Sequence, residues 1–234
     1  MKKNICIIPA RSGSKRIKNK NILNFFGKPV IYYPIKEAIK SKLFDKIIVS
    51  TDSKKISNIA KQCGANSWFL RSKKLSDDKA DKLSAIKHAF ILSEKHFKKK
   101  FDIIIDLDAT SPLRTPQDIK SSLKIFRSSK FDNLVSISLS KKNPYFNMIE
   151  KKNKKSFRLV KELNKSVIRR QDAPKVYDVN ASIYIWSRKS ILNQKQIINK
   201  KTGTYLMPEE RSIDIDSKFD WTLVQYLLKK KNVL

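Results

Sequence analysis

Glycine and cysteine are scarce in this chain, four and two among 234 residues. Cys6 and Cys63 stand apart, with no CxxC and no Cys/His spacing, which excludes a disulfide framework and a thiolate zinc site. Histidine is as thin: His88 and His96 fall on one expected helix without a further nitrogen or sulfur donor at ligand spacing, so both read as packed or solvated side chains. No apolar run reaches the roughly 18 residues of a membrane span. The opening MKKNICIIPARSG carries an apolar run of only about five residues before a basic loop, too short for a secretory leader. A soluble, cytoplasmic protein is expected.

Acidic residues are also outnumbered, 21 against 52 basic, for a formal net charge of +31. Such an excess suits a surface that covers phosphates. Yet 42 of the 52 are lysine, spread over every segment in doublets and triplets. Arginine is the residue preferred for bidentate phosphate recognition, and no aromatic RNA-binding motif, recognition helix or zinc knuckle accompanies the lysines. The excess therefore reads as a compositional bias of exposed faces. A basic nucleic-acid-binding protein without turnover is the alternative from another class, and it predicts salt-sensitive binding.

Strand-length apolar runs occur at 5–8, 47–50, 103–107, 134–139 and 182–186, separated by segments with helical spacing. This βα alternation predicts an α/β fold, Rossmann-like, with a mostly parallel sheet covered by helices on both faces. Residues 29–42 place Val30, Ile31, Ile35, Ala38 and Ile39 on one helical stripe, and a second helix over 53–63 stops at Gly64. Thr115-Pro116-Gln117-Asp118 supplies an N-cap, a proline at the first helical position and an acid in the first turn. At 27.2 kDa with 40% hydrophobic residues, residues 1–234 are expected to form one domain. The 141–175 stretch breaks the rhythm with twelve basic residues against three acids and predicts a protruding hairpin.

In such sheets ligands sit beyond the carboxyl ends of the strands. The first strand runs into ICIIPARSGSKRIKNKN, where Pro9, Ala10, Arg11, Ser12, Gly13, Ser14, Lys15, Lys20 and Asn21 form a phosphate-binding candidate. A glycine in so glycine-poor a chain implies a sharp turn or close approach of a ligand. The third run ends at Asp108-Ala109-Thr110-Ser111-Pro112-Leu113-Arg114. Near the C-terminus, SIDID over 212–216 reads as a short strand with Asp214 and Asp216 on one face. That pair is either a solvated edge or a hard-cation site, and the phosphate loop tilts the balance towards Mg²⁺ (or Mn²⁺). Adjacent Arg169 and Arg170, with Gln171, either grip a carboxylate or phosphate, or pair with Asp172 or Asp178.

The loop, the DLDATSPLR turn, the RRQ…N segment and SIDID, in this order, resemble the acylneuraminate cytidylyltransferases, which activate nine-carbon sugar acids. The resemblance runs over essentially the whole chain. It implies CTP bound by Pro9, Ala10, Arg11, Ser14, Lys15, Lys20 and Asn21, with Arg71 in FLRSKKL as a further arginine. It also implies a sugar-side arginine at Arg169 or Arg170, a sugar-side Asn180, metal aspartates at Asp214 and Asp216, and a homodimer through the 141–175 extension. Arg11, Lys20, Arg170 and Asp214 would be catalytic, and neither nucleic acid nor membrane would be a partner. Asp108 replaces the glutamine common in sialic acid members, Asp178 stands where some carry a base, and DDKADK over 77–82 lacks their hydroxyl residues. RRQDAPKVYDVNASIYIW looks closest to the legionaminic-acid branch. The cytidylyltransferase for the eight-carbon lipopolysaccharide acid shares the IIPAR loop, but the RRQ and SIDID motifs argue against it.

Overall fold

The computed structural model describes residues 2–14, 16–77, 80–165 and 167–230. Ten strands are β1 (Asn4–Pro9), β2 (Asn24–Phe25), β3 (Lys28–Pro29), β4 (Lys46–Ser50), β5 (Ile103–Leu107), β6 (Asn133–Leu139), β7 (Ile149–Lys151), β8 (Phe157–Leu159), β9 (Tyr177–Ser187) and β10 (Thr202–Leu206). The helices are α1 (Tyr32–Ser41), α2 (Lys54–Gln62), α3 (Lys82–Phe97), α4 (Pro116–Arg127), α5 (Arg188–Asn193) and α6 (Lys218–Lys230).

Six strands form the central sheet in the order β10-β6-β9-β5-β1-β4. β1 lies parallel to β4 and β5, and β10 parallel to β6, while β9 runs antiparallel between β5 and β6. The mostly parallel, two-sided α/β sheet expected from the sequence is what the chain forms. Strand pleating sends Ile103, Ile105 and Leu107 of β5 into a core with α1, α2 and α4. Ile104 of the same strand enters the opposite core, with α3 and α5. A smaller third core gathers Phe25, Val30, Tyr33, Leu113, Ile215, Val224 and Leu228 under α6.

Local signals account for several boundaries. α4 starts with a complete capping box, Thr115 accepting from the Asp118 amide and Asp118 from that of Thr115, a device worth roughly 1 kcal/mol. Gly64, at φ +96, ends α2 in the left-handed region. α1 begins at Tyr32 rather than Pro29, because Lys28 and Pro29 pair with Asn24 and Phe25. Phe26 and Gly27, both at positive φ, make the tight turn between them.

Two elements depart from expectation. β9 is eleven residues long and begins at Tyr177, not Ser182. Its register shifts opposite Ser136, where Ala181 adopts φ 58, and the irregularity hides the strand from a period-two reading. β10 carries no apolar alternation strong enough to announce itself. Gly203 sits in it because a Cβ there would meet the Phe131 ring at 2.2 Å. The 141–175 stretch contains an antiparallel hairpin, β7 with β8, separate from the main sheet, with Ile149 and Phe157 exposed.

Candidate active site

Beyond the carboxyl ends of β1 and β5 lies a cleft of about 450 Å³. One wall is the loop after β1, contributing Pro9, Arg11, Ser14, Arg16, Lys20 and Asn21; the other is Asp108, Ala109, Thr110, Asp214 and Asp216. Cations thus face carboxylates across one space. A smaller cavity of about 260 Å³ adjoins it, sharing Pro9, Arg11 and Asp108 and adding Arg71, Asp77 and Lys82.

The loop is braced by polar contacts instead of a glycine turn. Buried Ala10 donates its amide to the Ser50 carbonyl at 2.9 Å. Ser12 gives its amide and hydroxyl to the Asp52 carboxylate at 2.8 and 2.7 Å. Asn21 Nδ2 donates to the Arg11 carbonyl at 2.9 Å, while its buried Oδ1 lacks a hydrogen-bond partner among the described residues. Gly13 stays out of the left-handed region, and a Cβ there would meet nothing within 4 Å. The sharp-turn reading of that glycine is therefore corrected. Lys15 lies outside the described residues. Arg11 donates to the Asp77 carbonyl at 3.0 Å. Arg71 is buried, with Nε on Ser76 Oγ at 2.9 Å.

The SIDID segment is not a strand; it enters no ladder. Its conformation is set by Ile215, which is fully buried in the third core and donates its amide to the Thr110 carbonyl at 3.0 Å. Asp214 and Asp216 flank that anchor and both line the cleft. Asp214 accepts from Thr110 Oγ1, which also lies 2.7 Å from Asp108 Oδ1. Burial, with the Asp108 charge added, pushes the Asp214 carboxyl up to about 6. Asp216 pairs with Lys20 at 2.8 Å and Arg16 at 3.6 Å, and Lys20 Nζ also donates to the Ile215 carbonyl. Ser217 and Asp220, not Asp216, cap α6: Ser217 Oγ accepts from the Asp220 amide at 3.2 Å.

The predicted sugar-side residues stand elsewhere. Arg169, Arg170, Gln171 and Asn180 line neither cavity. Arg169 pairs with Asp172 at 3.0 Å, the local ion pair among its sequence alternatives, and Arg170 donates to the Ser140 carbonyl at 3.2 Å. Asn180 is 8% exposed, accepting from Ser136 Oγ at 2.6 Å and donating to Ser212 Oγ at 2.9 Å. It ties the sheet to the segment that carries Asp214.

Sequence reasoning passed over Lys82, Asp106 and the role of Arg114. Lys82 Nζ sits 2.9 Å from Asp106 Oδ2 and 3.4 Å from Asp108 Oδ2. Burial raises the Asp106 carboxyl to about 6 against the pull of Lys82. Asp108 stays below the usual carboxylate range, because Lys82 and the Thr110 hydrogen bonds outweigh the cost of its burial. Arg114, 2% exposed, donates to the Ser182 carbonyl at 2.7 Å and to the Asp108 carbonyl at 3.3 Å, so it holds strand ends together. The spacing of D-L-D at 106–108 repeats that of D-I-D at 214–216, and this was the available signal.

Among the described residues no three His, Cys, Asp or Glu side chains converge into a metal cage. Two carboxylates beside a phosphate-sized space are nonetheless the donor set Mg²⁺ uses when substrate oxygens complete its shell.

A family model described as cytidylyltransferase matches residues 5–230. The chain is 41% identical over 229 residues to a post-translational flagellin modification protein B of Campylobacter coli, covering 98% of this chain and 96% of that protein. It is also 41% identical to a CMP-N,N'-diacetyllegionaminic acid synthase of Campylobacter jejuni, with 98% and 96% covered. In structure it resembles a CMP:2-keto-3-deoxy-manno-octonic acid synthetase complexed with CTP, with TM-score 0.69, 18% identity, and 98% and 99% of the two chains covered.

Proposed function

The chain belongs to the cytidylyltransferase family, and from that premise we propose that it transfers CMP from CTP to the anomeric hydroxyl of a nine-carbon 2-keto sugar acid, releasing pyrophosphate. A legionaminic-type acid is the favoured acceptor. The carrying observation is the cleft in which Arg11, Lys20 and Arg16 face Asp214 and Asp216 at the carboxyl ends of β1 and β5. A triphosphate needs the first wall, and a divalent cation needs the second.

In the transfer, the anomeric oxygen attacks the α-phosphorus while the bond to the bridging oxygen of the leaving pyrophosphate breaks. Negative charge grows on that leaving group, and Arg11 and Lys20 would meet it there. Asp214 and Asp216 would hold Mg²⁺ or Mn²⁺, which supplies charge neutralisation at the phosphates. Asp214 would accept the proton that leaves the anomeric hydroxyl. The neighbouring cavity, with Arg71, offers room for the nucleobase end. Arg169 or Arg170 would grip the sugar carboxylate, which fixes the nucleophile's orientation. Since neither lines the cleft of its own chain, that contact fits a homodimer in which the 141–175 arm reaches the partner's site, and the exposed Ile149, Phe157 and Ile168 support such a contact.

The test is pyrophosphate release from CTP and Mg²⁺ across a panel of legionaminic, pseudaminic, sialic and eight-carbon 2-keto acids. Release with a legionaminic acid, in preference to the others, is expected. No release with any nine-carbon acid would overturn the reading.

A further inference from the structure

At the start of α3, Lys82 is held where a carboxylate of β5 and one just past its end converge. Pleating puts Asp106 and Asp108 on the same side of the strand as Ile104, the side that α3 covers. The first turn of the helix is pinned by Asp81, whose carboxylate accepts from the Leu83 and Ser84 amides at 3.2 and 3.0 Å. Lys82 Nζ then lies 2.9 Å from Asp106, 3.4 Å from Asp108 and 4.2 Å from the centre of the Tyr184 ring. Tyr184 stands directly opposite Asp106 on β9. The ammonium is therefore fixed from three sides, with its side chain 27% exposed.

One cation serves two carboxylates that differ in what they touch. Asp106 is fully buried, and its Oδ1 has no hydrogen-bond partner among the described residues. Asp108 borders the cleft, and while Oδ2 faces Lys82, Oδ1 accepts the Thr110 amide at 2.8 Å and lies 2.7 Å from the Thr110 hydroxyl oxygen. The same Thr110 hydroxyl touches Asp214. Contacts thus run without a gap from Lys82 through Asp108 and Thr110 to a carboxylate of the reaction cleft. If the ammonium were missing, Asp108 would share a strand face with a second uncompensated acid and could relieve the repulsion only by turning into the cleft or binding a proton.

We propose that Lys82 is a positioning residue for the CMP transfer: by engaging Asp108 Oδ2 it leaves Oδ1 to orient Thr110, and Thr110 orients Asp214 towards the reacting groups. This rests on the function proposed above. The competing structural role is compensation of Asp106 alone.

The Asp106→Asn background separates the two roles, since there Lys82 has only Asp108 to serve. Adding Lys82→Met should then lower kcat for pyrophosphate release by about tenfold or more. The KM for CTP should stay within about threefold and the melting temperature within about 2 °C. A kcat within about twofold of the Asp106→Asn parent would overturn the proposal. Should the double variant not fold, Asp108→Asn in the wild-type chain decides: a kcat loss of about tenfold with the melting temperature kept supports the proposal, and wild-type kcat sinks it. Failure of the wild type to release pyrophosphate with any acid would remove the underlying function, and this inference with it. Failure of the inference alone shows as an active wild type whose Lys82→Met change costs nothing in the Asp106→Asn background.

Discussion

Two aspartate pairs share one spacing, and their surroundings are opposite: Asp214 and Asp216 both line the cleft, whereas of the other pair only Asp108 reaches it and Asp106 is fully buried. Asp106 in β5 and Asp108 just past its end flank buried Leu107 and share a cation borne by a helix whose first turn is pinned. Asp214 and Asp216 sit on irregular chain, flank buried Ile215 and meet Lys20 from a loop. The first arrangement is permanent: Lys82 is wedged between β5 and the Tyr184 ring. In the second, Asp216 pairs with Lys20, a cleft-lining loop lysine that the proposed function assigns to the triphosphate. The same D-x-D spacing thus belongs to an ion cluster closed by Lys82 in one place and to irregular chain lining the cleft in the other.

Asp216→Ala bears most heavily on this contrast. It should cut kcat/KM by about 10³-fold in Mg²⁺ while leaving the melting temperature nearly unchanged. Near-normal turnover at millimolar Mg²⁺ would show that the second pair holds no cation. Lys20→Ala comes next, with kcat/KM for CTP falling by about 10²-fold. In the same variant, Mn²⁺ binding without nucleotide, read by the loss of the free-ion paramagnetic signal, should tighten because Asp216 loses its internal partner. Unchanged CTP kinetics and unchanged Mn²⁺ affinity would make Lys20 as permanent as Lys82.

A third acid sharpens the fixed side of the comparison. Asp118, almost wholly buried, accepts two hydrogen bonds from Arg211, at 3.0 and 2.9 Å. Burial would raise its carboxyl, but Arg211, Thr115 and Tyr205 together hold it below the usual value. A depressed folded value contributes stability above the unfolded carboxyl range, near pH 4, and loses it as pH falls through the folded value. Arg211→Ala should cost about 2 kcal/mol in denaturant unfolding at pH 7, since it strands a buried charge. The smallest expected effect is that of Asp106→Asn. Its folded value of about 6 lies above the unfolded one, so ionisation works against the fold. Wild-type stability should decline as pH rises from about 4 to 6, and the variant should remove that decline. A loss of turnover comparable to that of Asp216→Ala would erase the distinction between the pairs.

Much of the fold was legible where local chemistry and tertiary demand agree. The runs at 5–8 and 103–107 are apolar on both faces because helices cover both sides of the sheet. Thr115 to Asp118 carries its own capping instructions. The first half of β9 and all of β10 were illegible, since a bulge breaks one pattern and Gly203 makes room for a distant Phe131 in the other. At the site, Arg11, Lys20, Asn21 and Asp108 were legible as polar residues after strands and Asp214 and Asp216 as a carboxylate pair, and all six line one cleft. Lys82 was not, because one lysine among 42 has no local mark. Arg169, Arg170 and Asn180 matched a motif, but spacing could not say that they would lie off the cleft.

By itself the sequence determined most of the central strands and the helices with clear caps or stripes, and which residues could carry phosphate and cation chemistry. Those properties follow from residue type, periodicity and short-range hydrogen bonding. Tertiary structure alone decided which lysine meets which aspartate, that SIDID is anchored by Ile215 instead of paired as a strand, and that one D-x-D is closed by a lysine of a helix while its twin meets a lysine of a loop. Such partnerships join residues up to 196 positions apart, and at that separation only packing, not local pattern, selects the partner.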